Sequence, residues 1–225
     1  KEGWAVGRTI PDLKGGLILH TEDGGRRWMV QRDDVPGPLF HVCFSSPKKG
    51  WATGMKVILQ TEDGGRSWRR LRGVLEKSII AVPFFLNELE GWLAGEGEVV
   101  HTSDGGGSWR PLEGKGLPED MRPWDVLFFN PKEGFILGGV PRDKGWERRL
   151  WRTDDGGRSW RSQPVEGSSL AFPSEKVGWI AGAAASVWRS EDGGRSWARQ
   201  MERGFNYKDV FFLPTGLGWI VGQTG

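Results

Sequence analysis

One eight-residue segment recurs five times along the 225-residue chain and limits what the chain can fold into. The first copy is TEDGGRRW at residues 21–28, and the other copies begin at Thr61, Thr102, Thr153 and Ser190. Repetition of one segment indicates that a single supersecondary unit is copied along the chain. The octet therefore indicates a repeated structural unit, and this repeat has to be understood before any residue is assigned a function.

The octet lies within a longer repeat that contains a glycine followed by an aromatic residue. This pair begins at Gly3, Gly50, Gly91, Gly134, Gly178 and Gly218, and it recurs every 40 to 47 residues. In five copies a phenylalanine stands seven residues before the aromatic residue of the pair, at Phe44, Phe85, Phe128, Phe172 and Phe212. A period of this length occurs both in helical solenoids and in β-propellers.

Local composition distinguishes these two architectures. Segments such as residues 57–60 (VILQ) and 219–221 (WIV) are short, rich in β-branched and aromatic residues, and bounded by glycine, proline or aspartate, which is typical of strands. Each repeat holds four strands. Strand A carries the phenylalanine, strand B the glycine–aromatic pair, strand C precedes the octet, and strand D begins at the octet tryptophan. The sequence predicts an all-β propeller of about five four-stranded antiparallel blades.

The same pattern predicts how the chain is organised. We expect a single domain over residues 1–225, as an open arc of a larger ring. The predicted blade repeats are 1–36, 37–76, 77–118, 119–165, 166–203 and a partial repeat at 204–225.

Composition narrows the functional classes. The net charge of +2 is too balanced to indicate a nucleic-acid partner. No stretch approaches the roughly 18 apolar residues of a membrane-spanning helix, and no signal peptide is present. The three histidines show no metal-ligand spacing. We therefore expect no nucleic acid, no membrane span, no metal and no cofactor.

The octet matches the Asp-box, also called the BNR repeat. Its aspartate is placed to accept hydrogen bonds within the turn, and its paired glycines supply positive φ angles. A lone carboxylate in each turn is a poor calcium site, so we predict a structural role. The residues concerned are Asp23, Trp28, Asp63, Trp68, Asp104, Trp109, Asp155, Trp160, Asp192 and Trp197. In the first copy Arg27 replaces the serine found at the seventh position of the other copies, so we predict a turn with fewer hydrogen bonds.

The Gly-Trp-x-Val-Gly stretch, a short loop, a strand ending in His-Thr or Gln-Thr, and Asp-Gly-Gly-Arg-Ser-Trp together resemble the photosystem II stability and assembly factor family and its bacterial relatives. The resemblance covers almost the whole chain. It implies a seven-bladed propeller located outside the cytoplasm, in the periplasm, the thylakoid lumen or secreted. It also implies a non-catalytic scaffold for protein–protein interaction, with a membrane-complex subunit as the expected partner.

Connection lengths predict where a partner binds. The distance along the chain from the glycine that ends strand B to the first residue of the octet is 7 residues in the second repeat, 14 in the first and 15 in the fourth. Long loops on a rigid scaffold commonly carry binding, and the fourth-repeat loop is basic and contains a tryptophan. The predicted partner-binding residues are Arg122, Trp124, Arg142, Trp146, Arg148, Arg149, Tyr207 and Lys208. The alternative is a set of solvated charges around a tryptophan that packs the loop.

A glycan-binding or glycoside hydrolase propeller, sialidase-like or xyloglucanase-like, is the other interpretation, since Asp-boxes also occur in such enzymes. A sialidase-like site needs a tyrosine nucleophile, and Tyr207 is the sole tyrosine. The other glycosidases need two positioned carboxylates, and the sequence offers Asp120, Asp125, Asp143 and Asp209 without evidence of pairing. We expect the chain not to be an enzyme.

Overall fold

The computed structural model describes residues 1–9, 15–182, 186–201, 206–213 and 215–223. The chain divides into two compact units, Lys1–Glu113 and Gly114–Gly225. The described residues form strands, turns and bends, and none of them is helical. The prediction of an all-β propeller built from antiparallel blades is confirmed. The single-domain organisation, the blade limits and the number of blades in a complete ring stay predictions.

The first unit contains three antiparallel sheets, each with its strands in chain order. The three-stranded sheet is β1 (Gly3–Arg8), β2 (Gly15–Thr21) and β3 (Met29–Pro36). The second sheet is β4 (Leu39–Phe44), β5 (Gly50–Gly54), β6 (Val57–Thr61) and β7 (Arg69–Arg70). The third is β8 (Val82–Phe85), β9 (Gly91–Ala94), β10 (Val99–Thr102) and β11 (Arg110–Pro111).

The second unit repeats this arrangement with three further sheets. The first is β12 (Arg122–Phe128), β13 (Gly134–Arg142), β14 (Gly145–Thr153) and β15 (Arg161–Pro164). The next is β16 (Ser169–Ala171), β17 (Gly178–Ala181), β18 (Val187–Ser190) and β19 (Ala198–Met201). The last is the two-stranded sheet of β20 (Asn206–Phe212) and β21 (Gly218–Gln223).

Close packing explains why the glycine and the phenylalanine recur together. The phenylalanine at the end of strand A is paired with the glycine that begins strand B, as in Phe85 with Gly91. A Cβ atom added to Gly91 would lie 2.3 Å from the Phe85 ring, and one added to Gly134 would lie 2.4 Å from the Phe128 ring. Because the ring occupies the space of a side chain, only glycine fits at this position.

In two repeats of the first unit the phenylalanine also contacts two tryptophans. The Phe85 ring stacks on Trp51 of the preceding sheet with a centroid distance of 3.7 Å, and it meets the octet residue Trp109 edge-on at 6.0 Å. Phe44 has the same two neighbours, Trp4 at 3.6 Å and Trp68 at 6.0 Å. Offset-stacked and edge-on pairs are the favourable aromatic geometries, so Phe44 and Phe85 each join two neighbouring sheets of the first unit through an aromatic cluster.

Hydrogen bonds to the aspartate close each octet turn. The Asp63 carboxylate accepts bonds from Thr61 Oγ1 at 2.9 Å, from the Ser67 amide at 2.8 Å and from the Ser67 hydroxyl at 2.6 Å. The octets of Asp104, Asp155 and Asp192 make the same three bonds. These bonds favour the ionised carboxylate, and the Ser67 hydroxyl and amide lower the pKa of Asp63 to about 2.

The turn of the first octet lacks the hydrogen bond from a hydroxyl at the seventh position. Asp23 accepts bonds from Thr21 and from the amides of Arg26 and Arg27, but Arg27 has no hydroxyl to donate. The neighbouring Trp28 is 44% exposed, whereas Trp160 in the fourth octet is 5% exposed. The loss of the hydroxyl therefore coincides with an indole that is more exposed.

The low aspartate pKa values predict a stability loss in acid. The pKa is about 2 for Asp63, Asp155 and Asp192, below the roughly 3.9 of an unfolded chain. The stabilisation is therefore fully present above about pH 4 and is lost as the pH falls toward 2, because the unfolded chain binds protons first. Thermal unfolding followed by circular dichroism should show the midpoint falling steeply across this window.

The matched variant is Asp63→Asn, which keeps the shape of the side chain but cannot titrate. It should be less stable than the parent at pH 6, and the difference should shrink by pH 2.5. A difference that stays constant between these two pH values would show that the octet carboxylate does not carry the acid sensitivity.

Candidate partner-binding surface

The fourth-repeat insertion is a long β-hairpin and not the enlarged loop that the sequence predicts. Strands β13 and β14 pair continuously from Gly134 opposite Thr153 to Arg142 opposite Gly145. The two residues between the strands form the turn, and Gly145 has a φ of +99°. The insertion thus lengthens a regular ladder, which holds its side chains more rigidly than a loop would.

The other predicted long loop lies in the first repeat. Strand β1 continues to Arg8 and strand β2 begins at Gly15, with Gly16 paired opposite Arg8. Residues 10–14 of the predicted loop lie outside the described residues.

Two tryptophans meet on the lengthened hairpin. Trp124 lies on β12 at a register shift between Pro123 and Asp125, and its ring is 5.8 Å from that of Trp146 on β14, in an edge-on arrangement. Gly139 lies beneath both rings, since a Cβ atom added there would be 2.6 Å from Trp124 and 3.1 Å from Trp146. Trp146 is 38% exposed. The absence of a side chain at Gly139 therefore lets the two indoles lie side by side at the surface.

Two arginines alternate with the tryptophans. The Arg122 guanidinium lies over the Trp146 ring at 5.3 Å, and the Arg148 guanidinium lies over the Trp124 ring at 4.9 Å. Arg148 also donates a hydrogen bond to the Gly167 carbonyl at 3.3 Å. Cation–π contacts of this kind hold both groups in place. We call Arg122, Trp124, Trp146 and Arg148 the Trp–Arg surface.

Two further arginines of the hairpin, Arg142 and Arg149, bond to Glu147. Arg142 donates to Glu147 Oε2 through Nε at 2.9 Å, and Arg149 donates to Glu147 Oε1 at 2.5 Å. Hydrogen bonds from Arg149 and Arg142 lower the pKa of the Glu147 carboxyl. Because side chains alternate along β14, Glu147 and Arg149 point to the face opposite Trp146 and Arg148. Arg142 and Arg149, grouped with the tryptophans in the sequence analysis, thus form an ion-pair cluster with Glu147.

Tyr207 and Lys208 lie on β20, in another sheet of the same unit. The Tyr207 amide donates to the Gly182 carbonyl at 3.1 Å, and its hydroxyl lies 3.9 Å from the Met201 sulfur. Lys208 lies at a register shift of β20 and is exposed. Both residues were predicted to bind the partner together with the hairpin, and no described contact joins them to the Trp–Arg surface.

Two of the four carboxylates considered for a hydrolase, Asp125 and Asp209, accept hydrogen bonds from a neighbouring strand. Asp125 on β12 accepts hydrogen bonds from the Leu170 amide at 2.8 Å and the Val126 amide at 2.9 Å. Burial, with a smaller contribution from the charge of Asp209, raises the pKa of Asp125 to about 7. Asp209 on β20 accepts a bond from the Ser169 hydroxyl at 2.7 Å. These carboxylates link the first strands of successive sheets, β12 to β16 and β16 to β20.

The other two candidate aspartates are exposed. Asp120 precedes β12, and Asp143 lies in the turn between β13 and β14. Across the parts of the chain that the structure describes, no three histidine, cysteine, aspartate or glutamate side chains converge as metal ligands.

Comparison with known proteins identifies the family that the chain resembles. A family described as photosynthesis system II assembly factor YCF48 matches residues 30–120. No curated protein sequence matches the chain. Among solved structures, YCF48 from Cyanidioschyzon merolae is 18% identical, with 98% of this chain and 92% of that chain covered and a TM-score of 0.49. A structure titled YCF48 bound to D1 peptide is 19% identical, with 83% and 89% covered and a TM-score of 0.43.

A third solved structure shows the same fold in an enzyme. The GH74 xyloglucanase from Xanthomonas campestris is 14% identical and superimposes with a TM-score of 0.71 over 95% of this chain and 40% of its own. At this identity the likeness shows the fold alone. The chain is an Asp-box propeller. The family match over residues 30–120 confirms the resemblance to the photosystem II assembly factors that its motifs indicate.

Proposed function

We propose that this chain is a non-catalytic scaffold that binds a protein partner through the Trp–Arg surface. The observation that carries the proposal is the interleaving of two indoles with two guanidinium groups on a regular hairpin. Tryptophan and arginine are the residues that most often dominate binding energy at protein interfaces. Because the cation–π contacts fix these side chains before binding, the partner does not have to order them.

A second part of the proposal concerns the class of partner and the cellular compartment. We propose that the partner is a subunit of a membrane protein complex under assembly, and that the chain acts outside the cytoplasm, as expected for a relative of photosystem II assembly factors. The family match supports this role through residues 30–120. The Trp–Arg surface lies outside those residues, so its assignment depends on geometry alone. None of the described residues forms a helix with the length and apolar character needed to cross a membrane.

A glycan hydrolase is the second candidate, and one observation favours it. The pKa of Asp125 is raised to about 7, a value suited to a general acid at neutral pH. However, both oxygens of this carboxylate accept backbone amide bonds, from Val126 and Leu170, and such bonds are those of a structural link. The scaffold therefore accounts better for the arrangement.

Affinity capture tests the scaffold directly. The immobilised chain is incubated with detergent-solubilised membranes from the organism that encodes it, and captured proteins are identified by mass spectrometry. We expect a membrane-complex subunit to be retained. The Trp124→Ala/Trp146→Ala variant should retain at least tenfold less of it, because truncation of a central interface residue costs about 2 kcal/mol or more.

The matched control is Trp219→Ala, which removes a tryptophan that is 49% exposed on β21, away from the Trp–Arg surface. This variant should capture the partner like the parent chain. Equal capture by the double variant would contradict the assignment of the surface. Release of reducing sugar from xyloglucan or other glycans by the chain would favour the hydrolase instead.

A further inference from the structure

A cleft in the unit Lys1–Glu113 is not used by the proposed scaffold function. It has a volume of about 490 Å³, within the usual range of small-molecule sites. The turn between β5 and β6 forms one side, and the connection from β7 to β8 forms the other. Its test does not depend on the Trp–Arg surface, which belongs to the other unit.

The floor of the cleft is apolar. Ile58, Leu75 and Ala81 line it and are at most 7% exposed, and all three belong to one core cluster. Leu71 and Val74, which are partly buried against that cluster, complete the apolar lining. The apolar surface that a ligand would cover is therefore that of Leu71 and Val74, which lies over this part of the protein core.

The rim of the cleft is cationic. Lys56, Arg70 and Arg72 line it, with Glu76 as the acidic residue of the lining. Arg70 donates a hydrogen bond to the Lys56 carbonyl at 2.9 Å, and Glu76 accepts one from the Gly73 amide at 2.9 Å. Within the described part of the chain, Lys56 and Arg72 form no ion pair. Three positive charges against one negative charge favour an anionic group at the mouth.

Backbone strain coincides with the cleft. Lys56 has a φ of +55° and Leu75 a φ of +49°, and they are the two non-glycine residues with positive φ among the described residues. Both line the cleft. Such conformations cost energy and persist where the surrounding contacts fix them, which is common at binding sites.

Hydrogen bonds hold the two sides of the cleft in place. The Lys56 amide donates to the Ile79 carbonyl at 2.7 Å, and the Leu71 amide donates to the Ile58 carbonyl at 2.8 Å. Ser78, which also lines the cleft, bonds Glu98 at 3.1 Å through its hydroxyl. The cleft is therefore formed before any ligand enters, which reduces the entropy cost of binding.

We infer that this cleft binds a small amphipathic anion, an aliphatic chain that ends in a carboxylate. The chain would lie against Leu71 and Val74, and the carboxylate would meet Lys56 and Arg72 at the rim. An apolar molecule without charge would leave both cations unused. A fully polar anion would make no use of Leu71 and Val74.

Isothermal titration calorimetry with decanoate tests the inference, with decanol as the uncharged analogue. We expect saturable one-to-one binding of decanoate below about 1 mM and at least tenfold weaker binding of decanol. Lys56→Gly and Arg72→Gln should each weaken decanoate binding five- to tenfold. The matched control is Arg66→Gln, because Arg66 is an exposed arginine of the second octet that does not line the cleft. This control variant should bind decanoate like the parent.

The Lys56→Gly variant separates binding from structure. Because glycine accepts a positive φ, this variant should unfold at a higher temperature than the parent while binding decanoate more weakly. Decanoate binding that is unchanged in both Lys56→Gly and Arg72→Gln would overturn the inference. So would equal binding of decanol, or binding of a short peptide with an apolar C-terminal residue in place of decanoate.

Discussion

Replacement of Trp51 by alanine should destabilise the protein by about 3–5 kcal/mol, the usual cost of removing a fully buried tryptophan. Trp51 is 0% exposed and stacks on Phe85 at 3.7 Å. Gly106 of the third octet packs against the same ring, since a Cβ atom added there would lie 2.8 Å from it. The variant therefore removes the centre of an aromatic cluster that joins two sheets. Urea unfolding followed by circular dichroism measures the loss.

Trp219→Ala is the matched control for this prediction. Trp219 occupies the same place in the glycine–aromatic motif, but it is 49% exposed on β21. Its replacement should cost less than about 1 kcal/mol, as expected for a largely exposed side chain. Similar losses in the two variants would show that the motif tryptophans do not act through burial.

Replacement of Gly54 by alanine should destabilise the protein by about 2–3 kcal/mol, the usual cost of forcing an extra methyl group into a packed site. Gly54 ends strand β5, and a Cβ atom added there would lie 2.0 Å from the Pro38 carbonyl oxygen and 2.8 Å from the Leu39 Cα. Both obstacles are backbone atoms, so the strands β4 and β5 must separate to accept the methyl group. The free energy of unfolding, measured in urea, should fall accordingly.

Gly7 provides the matched control because it closes the same motif in the first repeat. Apart from its own chain neighbours, no heavy atom of the described residues lies within 4 Å of a Cβ atom added to Gly7. Gly7→Ala should therefore change the stability by less than about 0.5 kcal/mol. A loss in Gly7→Ala as large as that in Gly54→Ala would show that the clash with Pro38 and Leu39 is not the cause, since alanine restricts the unfolded chain and would by itself stabilise the fold.

The sequence predicted the fold well because its main signals are local. Short β-branched segments bounded by glycine and proline identify strands without reference to the rest of the chain. The reason for the constant spacing of phenylalanine and glycine was not predictable in this way. It is the contact of the Phe85 ring with Gly91 across two paired strands, which is visible only once their register is known.

The candidate surface was predicted in part. The sequence grouped Trp124 with Trp146, and the structure brings their rings together. It also grouped Arg149 with them, although the alternation of side chains along a strand places Arg149 beside Glu147 on the other face. Treating the insertion as a loop hid that alternation, and the Asp-Lys-Gly turn signal at residues 143–145 would have revealed the hairpin.

The cleft of the first unit was not predicted from the sequence. Its walls depend on the positive φ angles of Lys56 and Leu75, and neither residue type signals such a conformation. Its floor is made of ordinary core residues, which periodicity assigns to packing. A cleft of this kind can be recognised only in the folded structure.

Site-specific crosslinking tests the scaffold proposal most directly. A photoreactive benzophenone amino acid is placed at Lys144, in the turn of the β13–β14 hairpin, or at Arg66, in the second octet; both residues are exposed. After illumination with solubilised membranes, position 144 should yield an adduct with a membrane-complex subunit, and this adduct should disappear in the Trp124→Ala/Trp146→Ala background. A protein adduct from position 66 with none from position 144 would contradict the proposed binding surface.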